Sequence, residues 1–361
     1  AEVHQHLRAK KVQLYLNEAV TSFSEEGRHL AAHLAGGRSL SADLVVLGIG
    51  VRPDAALAKA AGLRVGERGG IVVDEHLRTS DPQVYALGDA IEFPSPITGR
   101  SLPVYLAGPA NKQARIVADN IVRGDTRVYR GSIATAIAKV FDLTVAATGA
   151  AEKALKAAGI PCLSSITHSG SHAGYYPGAT QATLKVVFSP QDGRLLGAQM
   201  VGGEGVDKRI DVIATVLTAG GTIYDLQEVE HAYAPPYSSG KDPVNIAGFA
   251  AENILQGLVR TVQWSDLHEG RAPADAVLLD VREPDEVSRG RIEGAANVPL
   301  HSLRDRLAEL PQGRPIIVYC AAGLRAYLAC RILSQSGFAE VFNLSGGYQT
   351  YAVATAAQSS P

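Results

Sequence analysis

From Trp264 onward the chain alternates short apolar runs with helix-like stretches, and this alternation constrains the fold more than any other feature. "AVLLDV" (276–281), "PIIVYC" (315–320) and "AEVFNL" (339–344) are short and mainly apolar and read as strands. Between and after them lie "EPDEVSRG" (283–290), "LRDRLAEL" (303–310), "LRAYLACRILSQSG" (324–337) and "GYQTYAVATAA" (347–357), which read as helices. Strands that alternate with helices build a parallel sheet flanked by helices, so a compact α/β unit is expected here.

Inside this unit, "CAAGLR" sets Cys320 at the carboxyl end of a strand and directly before a helix. A thiol is a useful nucleophile only as thiolate, which requires a favourable electrostatic setting. Backbone N–H groups and the helix dipole supply one at this position. Ala321, Ala322 and Gly323 are small enough to let the loop curl its amides around a sulfur, and Arg325 adds a fixed cation. The layout suits an anionic sulfur that accepts another sulfur. Cys330, inside the following helix, reads as a packing residue.

The other residues form a second system. "VQLYLNEAV" (12–20) and "ADLVVLGIG" (42–50) read as strands, the latter buried, and two short strands are expected within "GGIVVDEHLRTSDPQVYALGDA" (69–90). "PANKQARIVADNIVRG" (109–124) is a helix bounded by Pro and Gly. A strand-rich run (134–149), a short helix (152–159), a hairpin turning at Asp192–Gly193, and helices at 206–219 and 242–258 follow as an α+β unit. Formal charge is −2 with no basic segment, so nucleic acid is excluded as a partner. No apolar run reaches the roughly 20 residues of a membrane span. The start, "AEVHQHLRAKK", is not a signal peptide and reads as an internal cut. Three cysteines without framework spacing favour a reducing, cytoplasmic setting. His168/His172 and His4/His6 have metal-like spacing, but no Cys, Asp or Glu set completes a site; they are read as loop or surface histidines, with no metal.

"LLDVREPDEVSRGRIEGAANVPL…VYCAAGLR…LSGGY" resembles the rhodanese family. The resemblance implies that Cys320 carries a persulfide, that Arg325 and the loop 320–325 (Cys320, Ala321, Ala322, Gly323, Leu324, Arg325) stabilise it, and that Asp280 and Arg282 support the loop. Six residues from Cys to Arg match the sulfur-handling members; phosphate- and arsenate-handling relatives have a loop one residue longer. Arg291 stands where that family usually has His.

"GIGVRPD" (48–54), "TSDPQVYALGDA" (79–90) and the helix from Pro109 resemble, in that order, the pyridine nucleotide-disulfide reductase family. By that likeness Gly88 and Asp89 bind the ribityl chain of FAD, and Pro109 and Ala110 bring a helix N-terminus to the flavin. "YYPGA" (175–179) and "YAPPYSSGKDPVNIAG" (233–248) resemble the coenzyme A-disulfide reductases and related NADH oxidases, several of which end in a rhodanese domain. Tyr175 and Tyr233, with Tyr237 as neighbour, then correspond to tyrosines that reach the partner subunit's redox site in a homodimer.

The resemblance implies a multidomain α/β and α+β chain. Residues 1–78 would be the C-terminal half of an NAD(P)-binding domain and 79–128 the returning segment of an FAD-binding domain. Residues 129–258 would be the dimerisation domain and 262–361 the rhodanese domain. The implied enzyme uses NAD(P)H and FAD to reduce a disulfide of coenzyme A, a persulfide or a polysulfide, with small sulfur compounds, thiosulfate included, as partners. The family's G-x-G-x-x-G, the redox cysteine behind it and the second Gly-rich loop are not in these residues, and Cys162 lies too late in the chain to stand in. Reductase activity and tight FAD binding are therefore not expected of this polypeptide alone; a yellow preparation at stoichiometric flavin is the contrary result. A free-standing sulfurtransferase on a dimerisation scaffold, an NADH oxidase with a vestigial rhodanese, and a non-catalytic sulfur-carrier binding module are the alternatives. Sulfur donor and acceptor, and NADH against NADPH, stay open.

Overall fold

The computed structural model describes residues 1–358. The final residues of the polar tail "AAQSSP", from 359 on, lie outside the described residues. The architecture is mixed α/β in several sheets, as the alternation of elements requires. Among the described residues, no helix is long and apolar enough to cross a membrane.

The N-terminal region opens with helix α1 (Glu2–Ala9), then an antiparallel sheet of β1 (Val20–Glu26), β2 (His29–Leu34) and β3 (Ser39–Ala42). Two expectations fail here. Residues 12–19 are irregular, with a turn at 16–17 where Asn17 has a positive φ, and the strand starts only at Val20. The run after β3 is neither strand nor buried: Leu44, Val46, Leu47 and Ile49 lie 68–90% exposed. A buried strand needs a ladder partner on each side and cover on both faces, and none is described beside this run.

Helix α2 (Ala56–Ala60) leads to a small sheet of β4 (Ile71–Val72), β5 (Ile91–Pro94) and β6 (Ser101–Leu102). Of the two strands expected in 69–90, one is β4; the other is only an isolated bridge between Arg78 and Tyr85, and the ladder resumes after Asp89. Helix α3 (Ala107–Arg123) follows, two residues earlier than its Pro109 suggests, and stops at Gly124, φ 77°.

The middle unit is a five-stranded antiparallel sheet of β7 (Ala136–Val140), β8 (Leu143–Gly149), β9 (Leu163–Gly170), β10 (Gln181–Phe188) and β11 (Leu195–Gly202). Its order is β7-β8-β11-β10-β9, which leaves β9 at the edge. Helix α4 (Glu152–Ala157) bridges β8 and β9, and α5 (Val206–Thr218), α6 (Ile223–Glu228) and α7 (Pro243–Leu255) cover one face. The alternation of β10 turns Leu184, Val186 and Phe188 onto Ile210, Ile213, Leu226 and Val244, all essentially buried. Thr222 caps α6 and Asp242 caps α7 through reciprocal boxes.

The C-terminal unit is the expected parallel sheet. It contains β12 (Arg260–Val262), β13 (Val277–Asp280), β14 (Ala296–Asn297), β15 (Ile316–Tyr319) and β16 (Val341–Leu344) in the order β12-β16-β15-β13-β14. Helices α8 (Trp264–His268), α9 (Pro284–Ser288), α10 (Leu324–Gln335) and α11 (Gly347–Gln358) pack around it. Every residue of β15 is buried: Ile316 and Val318 face one layer, Ile317 and Tyr319 the other. "LRDRLAEL" gives no α-helix, only turns at 303–306 and a 3₁₀ turn at Leu307–Glu309, after a first 3₁₀ turn at Leu300–Ser302. Its leucines still reach the core, with Leu303 and Leu310 buried, but Pro311 ends the segment before a second turn can propagate.

The two units meet along β9. Its edge amide at Ile166 donates to Ser345 Oγ at 3.2 Å, and His168 Nε2 lies 3.1 Å from Gly346 O and 2.8 Å from Thr350 Oγ1. Tyr327 donates to Asn253 and Arg331 to the carbonyl of Leu258. His168 is thus neither a loop nor a surface residue, whereas His172 does lie in a loop, the one between β9 and β10, but is buried there. His168 belongs to β9 and faces the C-terminal unit, and His172 is buried between Ser171 and the carbonyl of Pro177.

Candidate active site

Cys320 follows β15 and is 2% exposed. The N–H of Gly323 points at its sulfur at 3.1 Å. Gly323 itself sits at φ 125°, which an L side chain rarely adopts, and serves as N-cap of α10. The loop is fixed from behind by the start of α11. Tyr348 N–H donates to Cys320 O at 2.8 Å and Gln349 N–H to Ala321 O at 3.0 Å. This approach requires Gly347: a Cβ there would lie 2.6 Å from Cys320 O, at a φ of 59°.

Arg325 lies in the first turn of α10 and faces α9. Its two terminal nitrogens reach Glu286 Oε2 and Oε1 at 2.6 and 2.7 Å, a bidentate fork. Hydrogen bonds from Arg325 hold the Glu286 carboxyl at about 2, far below the usual carboxylate range, and the same pairing raises Arg325. The loop's cation is therefore already paired, a feature the spacing of "CAAGLR" could not disclose.

Asp280 and Arg282 form a second pair, 1% and 4% exposed at the side chain, at 2.7 Å. Arg282 continues to the carbonyl of Gly290 at 2.8 Å and lies 4.2 Å over the ring of Tyr348, whose N–H holds Cys320 O. The pair thus touches the helix start behind the loop rather than the sulfur. Arg291 is exposed. Cys330 is buried on α10, where burial pushes its thiol up to about 12.

A cleft of about 370 Å³ opens beside the loop, between the two units. Ala322, Gly323, Leu324, Tyr327 and Asn343 form one wall; Ile166, His168, Lys241, Ile246 and Phe249 form the other. Asn343 donates to Gly323 O, while its buried side-chain oxygen has no protein partner.

The second set of expected residues lies elsewhere. Tyr175 and Tyr233 stand on separate loops, 78% and 53% exposed, and their mutual hydrogen bond raises Tyr175. One residue missed in the sequence ties both loops together. Arg209 of α5 donates to Ser171 O at 2.7 Å in the first loop and to both oxygens of Asp242 at the end of the second. Tyr237, also exposed, is in the same second loop.

Gly88, at φ 73°, gives its N–H to Gln113 and packs against Ala110 in the first turns of α3; Asp89 is exposed next to it. The start of α3 has no side-chain cap, and Gly108 and Pro109 line a hollow of about 970 Å³. An uncapped helix start next to an exposed carboxylate fits a cofactor with anionic and hydroxyl groups.

Residues 1–114 match the pyridine nucleotide-disulphide oxidoreductase family, 135–242 its dimerisation domain and 263–354 the rhodanese-like domain. The structure resembles that of reduced Bacillus anthracis CoADR-RHD, with a TM-score of 0.93 and 45% identity, over 97% of this chain and 62% of that one. It also resembles an NAD-dependent persulfide reductase from A. fulgidus, TM-score 0.87 and 40% identity, over 97% and 63%. In sequence it is 32% identical to a coenzyme A disulfide reductase of Staphylococcus haemolyticus, over 70% of this chain and 56% of that protein. The chain thus spans little more than half the length of the curated relatives it matches.

Proposed function

The chain belongs to the pyridine nucleotide-disulphide oxidoreductase family and carries a rhodanese-like domain after its dimerisation domain; on that premise we propose that it works in flavin-dependent reduction of disulfide or persulfide sulfur, with Cys320 as sulfur carrier. The single observation that carries this reading is the Gly323 N–H aimed at the Cys320 sulfur at a helix start.

In the proposed cycle the Cys320 thiolate attacks the outer sulfur of a sulfane donor. A new S–S bond forms, the donor's own bond to that sulfur breaks, and its electron pair leaves with the donor remnant. The persulfide then gives its outer sulfur to an acceptor nucleophile, which regenerates the thiolate. Amide dipoles of the loop bear the negative charge at each stage. Asp280 and Arg282 would keep α11 against the loop, and the hydrogen-bonded hydroxyls of Tyr175 and Tyr233 would offer protons to a thiolate formed across the dimer. Gly88, Asp89, Pro109 and Ala110 would hold FAD, which when bound supplies two-electron transfer from NAD(P)H to a disulfide. The proposed substrates are disulfides or persulfides of coenzyme A and polysulfides, and the proposed assembly is a homodimer; the relatives' names and the dimerisation domain support both.

Thiocyanate formation from a sulfane donor and cyanide tests the carrier role. The wild-type chain is expected to turn over and Cys320→Ser to be inactive while folded; equal turnover by that variant refutes the assignment.

A further inference from the structure

The pairing of Arg325 with Glu286 carries a consequence for which donors the loop accepts. Both terminal nitrogens of the guanidinium bond one carboxylate, which offsets the positive charge that also faces the Cys320 sulfur. Two neighbouring cations are matched as well: Arg282 by Asp280 and Arg289 by Asp285. Across the cleft Lys241 supplies one point charge, and the rest of that wall is largely apolar, with Ile166, Ile246 and Phe249. A donor entering here approaches the loop at Ala322 and Gly323, with the Cys320 sulfur behind them at 3.1 Å from Gly323 N, between apolar walls that weaken solvent screening and with one ammonium on the facing wall. A single negative charge on the donor can be matched; a second one cannot.

We propose that Glu286 sets the charge selectivity of the sulfur loop: by occupying Arg325 it directs the loop to sulfane donors with at most one negative charge and away from dianionic thiosulfate. The inference rests on the carrier role of Cys320 and adds the residue that decides the donor's charge class. Two donors isolate the effect. Methanethiosulfonate, a monoanion, transfers its outer sulfur to the thiolate and leaves as methanesulfinate. Thiosulfate does the same and leaves as sulfite. In both, one S–S bond forms and one breaks, and cyanide then takes the sulfur as thiocyanate.

The experiment compares kcat/KM for the two donors in the wild-type chain, Glu286→Gln and Glu293→Gln. Gln preserves the shape of the side chain and its reach to the Glu283 amide in the α9 capping box, and removes only the charge. The wild type is expected to prefer methanethiosulfonate at least tenfold, a preference that narrows as salt is raised. In Glu286→Gln the preference should fall at least tenfold because thiosulfate turnover rises. Glu293→Gln removes an exposed charge of the same domain and should keep the wild-type ratio. A wild type indifferent to donor charge, an unchanged ratio in Glu286→Gln, or an equal change in Glu293→Gln overturns the proposal. No turnover of either donor by the wild type instead removes the carrier role beneath it.

Discussion

Arg209 and Asp242 form an ion pair in the interior of the dimerisation domain, each side chain 1% exposed, with guanidinium–carboxylate distances of 2.9, 3.1 and 3.2 Å. The pair closes a network: Ser238 donates to the same carboxylate at 2.6 Å, and Ser238 O accepts from Ala173 in the neighbouring loop at 2.9 Å. A pair buried this deeply is strongly destabilising to break, because removing one member strands the other's charge away from water.

Asp242→Ala is therefore expected to lose about 3–5 kcal/mol in denaturant unfolding. Arg209 and Ser238 hold the Asp242 carboxyl below its ordinary range, against the opposing effect of burial. A depressed folded value means stability that is complete above the unfolded value of about 3.9 and is lost as pH falls through the folded one. The wild type should thus lose this contribution in acid, whereas Asp242→Ala should lack it at every pH. A loss below 1 kcal/mol at neutral pH contradicts the burial argument.

Gly347→Ala tests the contact behind the sulfur loop. The added methyl meets Cys320 O and Ala321 O at 2.6 and 2.8 Å in a backbone conformation that disfavours side chains. Strain of this kind costs about 1–3 kcal/mol, and the loop should shift as the helix start is pushed back. Lower thermal stability together with reduced thiocyanate formation is expected; full activity shows that the loop does not depend on α11.

The two cysteines of the rhodanese-like domain should separate cleanly. At pH 8 the Cys330 thiol, pushed up to about 12 by burial, stays protonated and should resist iodoacetamide in the folded chain. Cys330→Ala should keep sulfur transfer and Cys320→Ala should abolish it. Peptide mass mapping that finds Cys330 alkylated within minutes in folded protein contradicts this.

Glu286 makes an acid-sensitive contribution of its own. Its folded value of about 2 lies below the ordinary carboxylate value, chiefly because Arg325 hydrogen-bonds the charged form. Its stabilisation is complete above the unfolded value of about 4.3 and fades as pH falls toward 2. Glu286→Gln lacks a titrating group there, so its melting temperature should fall less steeply over that interval. Solvent screening keeps the effect to about 1 kcal/mol at this half-open position.

Local patterns in the sequence were sufficient to place Cys320 between a strand and a helix, because the small loop residues and the flanking apolar run lie within a few positions of it. The same holds for the hairpin at Asp192–Gly193 and the Gly124 stop of α3, where conformation follows from neighbours in the chain. "ADLVVLGIG" misled because an apolar run marks a strand only where other strands flank it, and that condition is not local. "LRDRLAEL" misled because its leucines do pack inward, yet from turns rather than a helix.

The amino-acid order alone determined the chemistry on offer: a thiol at a helix start, tyrosines close to prolines and a carboxylate beside a helix. Tertiary structure alone decided how those groups are charged and held. Glu286 reaches Arg325 from 39 positions away, Arg209 joins two loops 33 and 38 positions distant, and His168 meets Thr350 across a domain boundary. Ion pairs and hydrogen bonds act over a few ångströms, so their partners are fixed only once the sheets have packed.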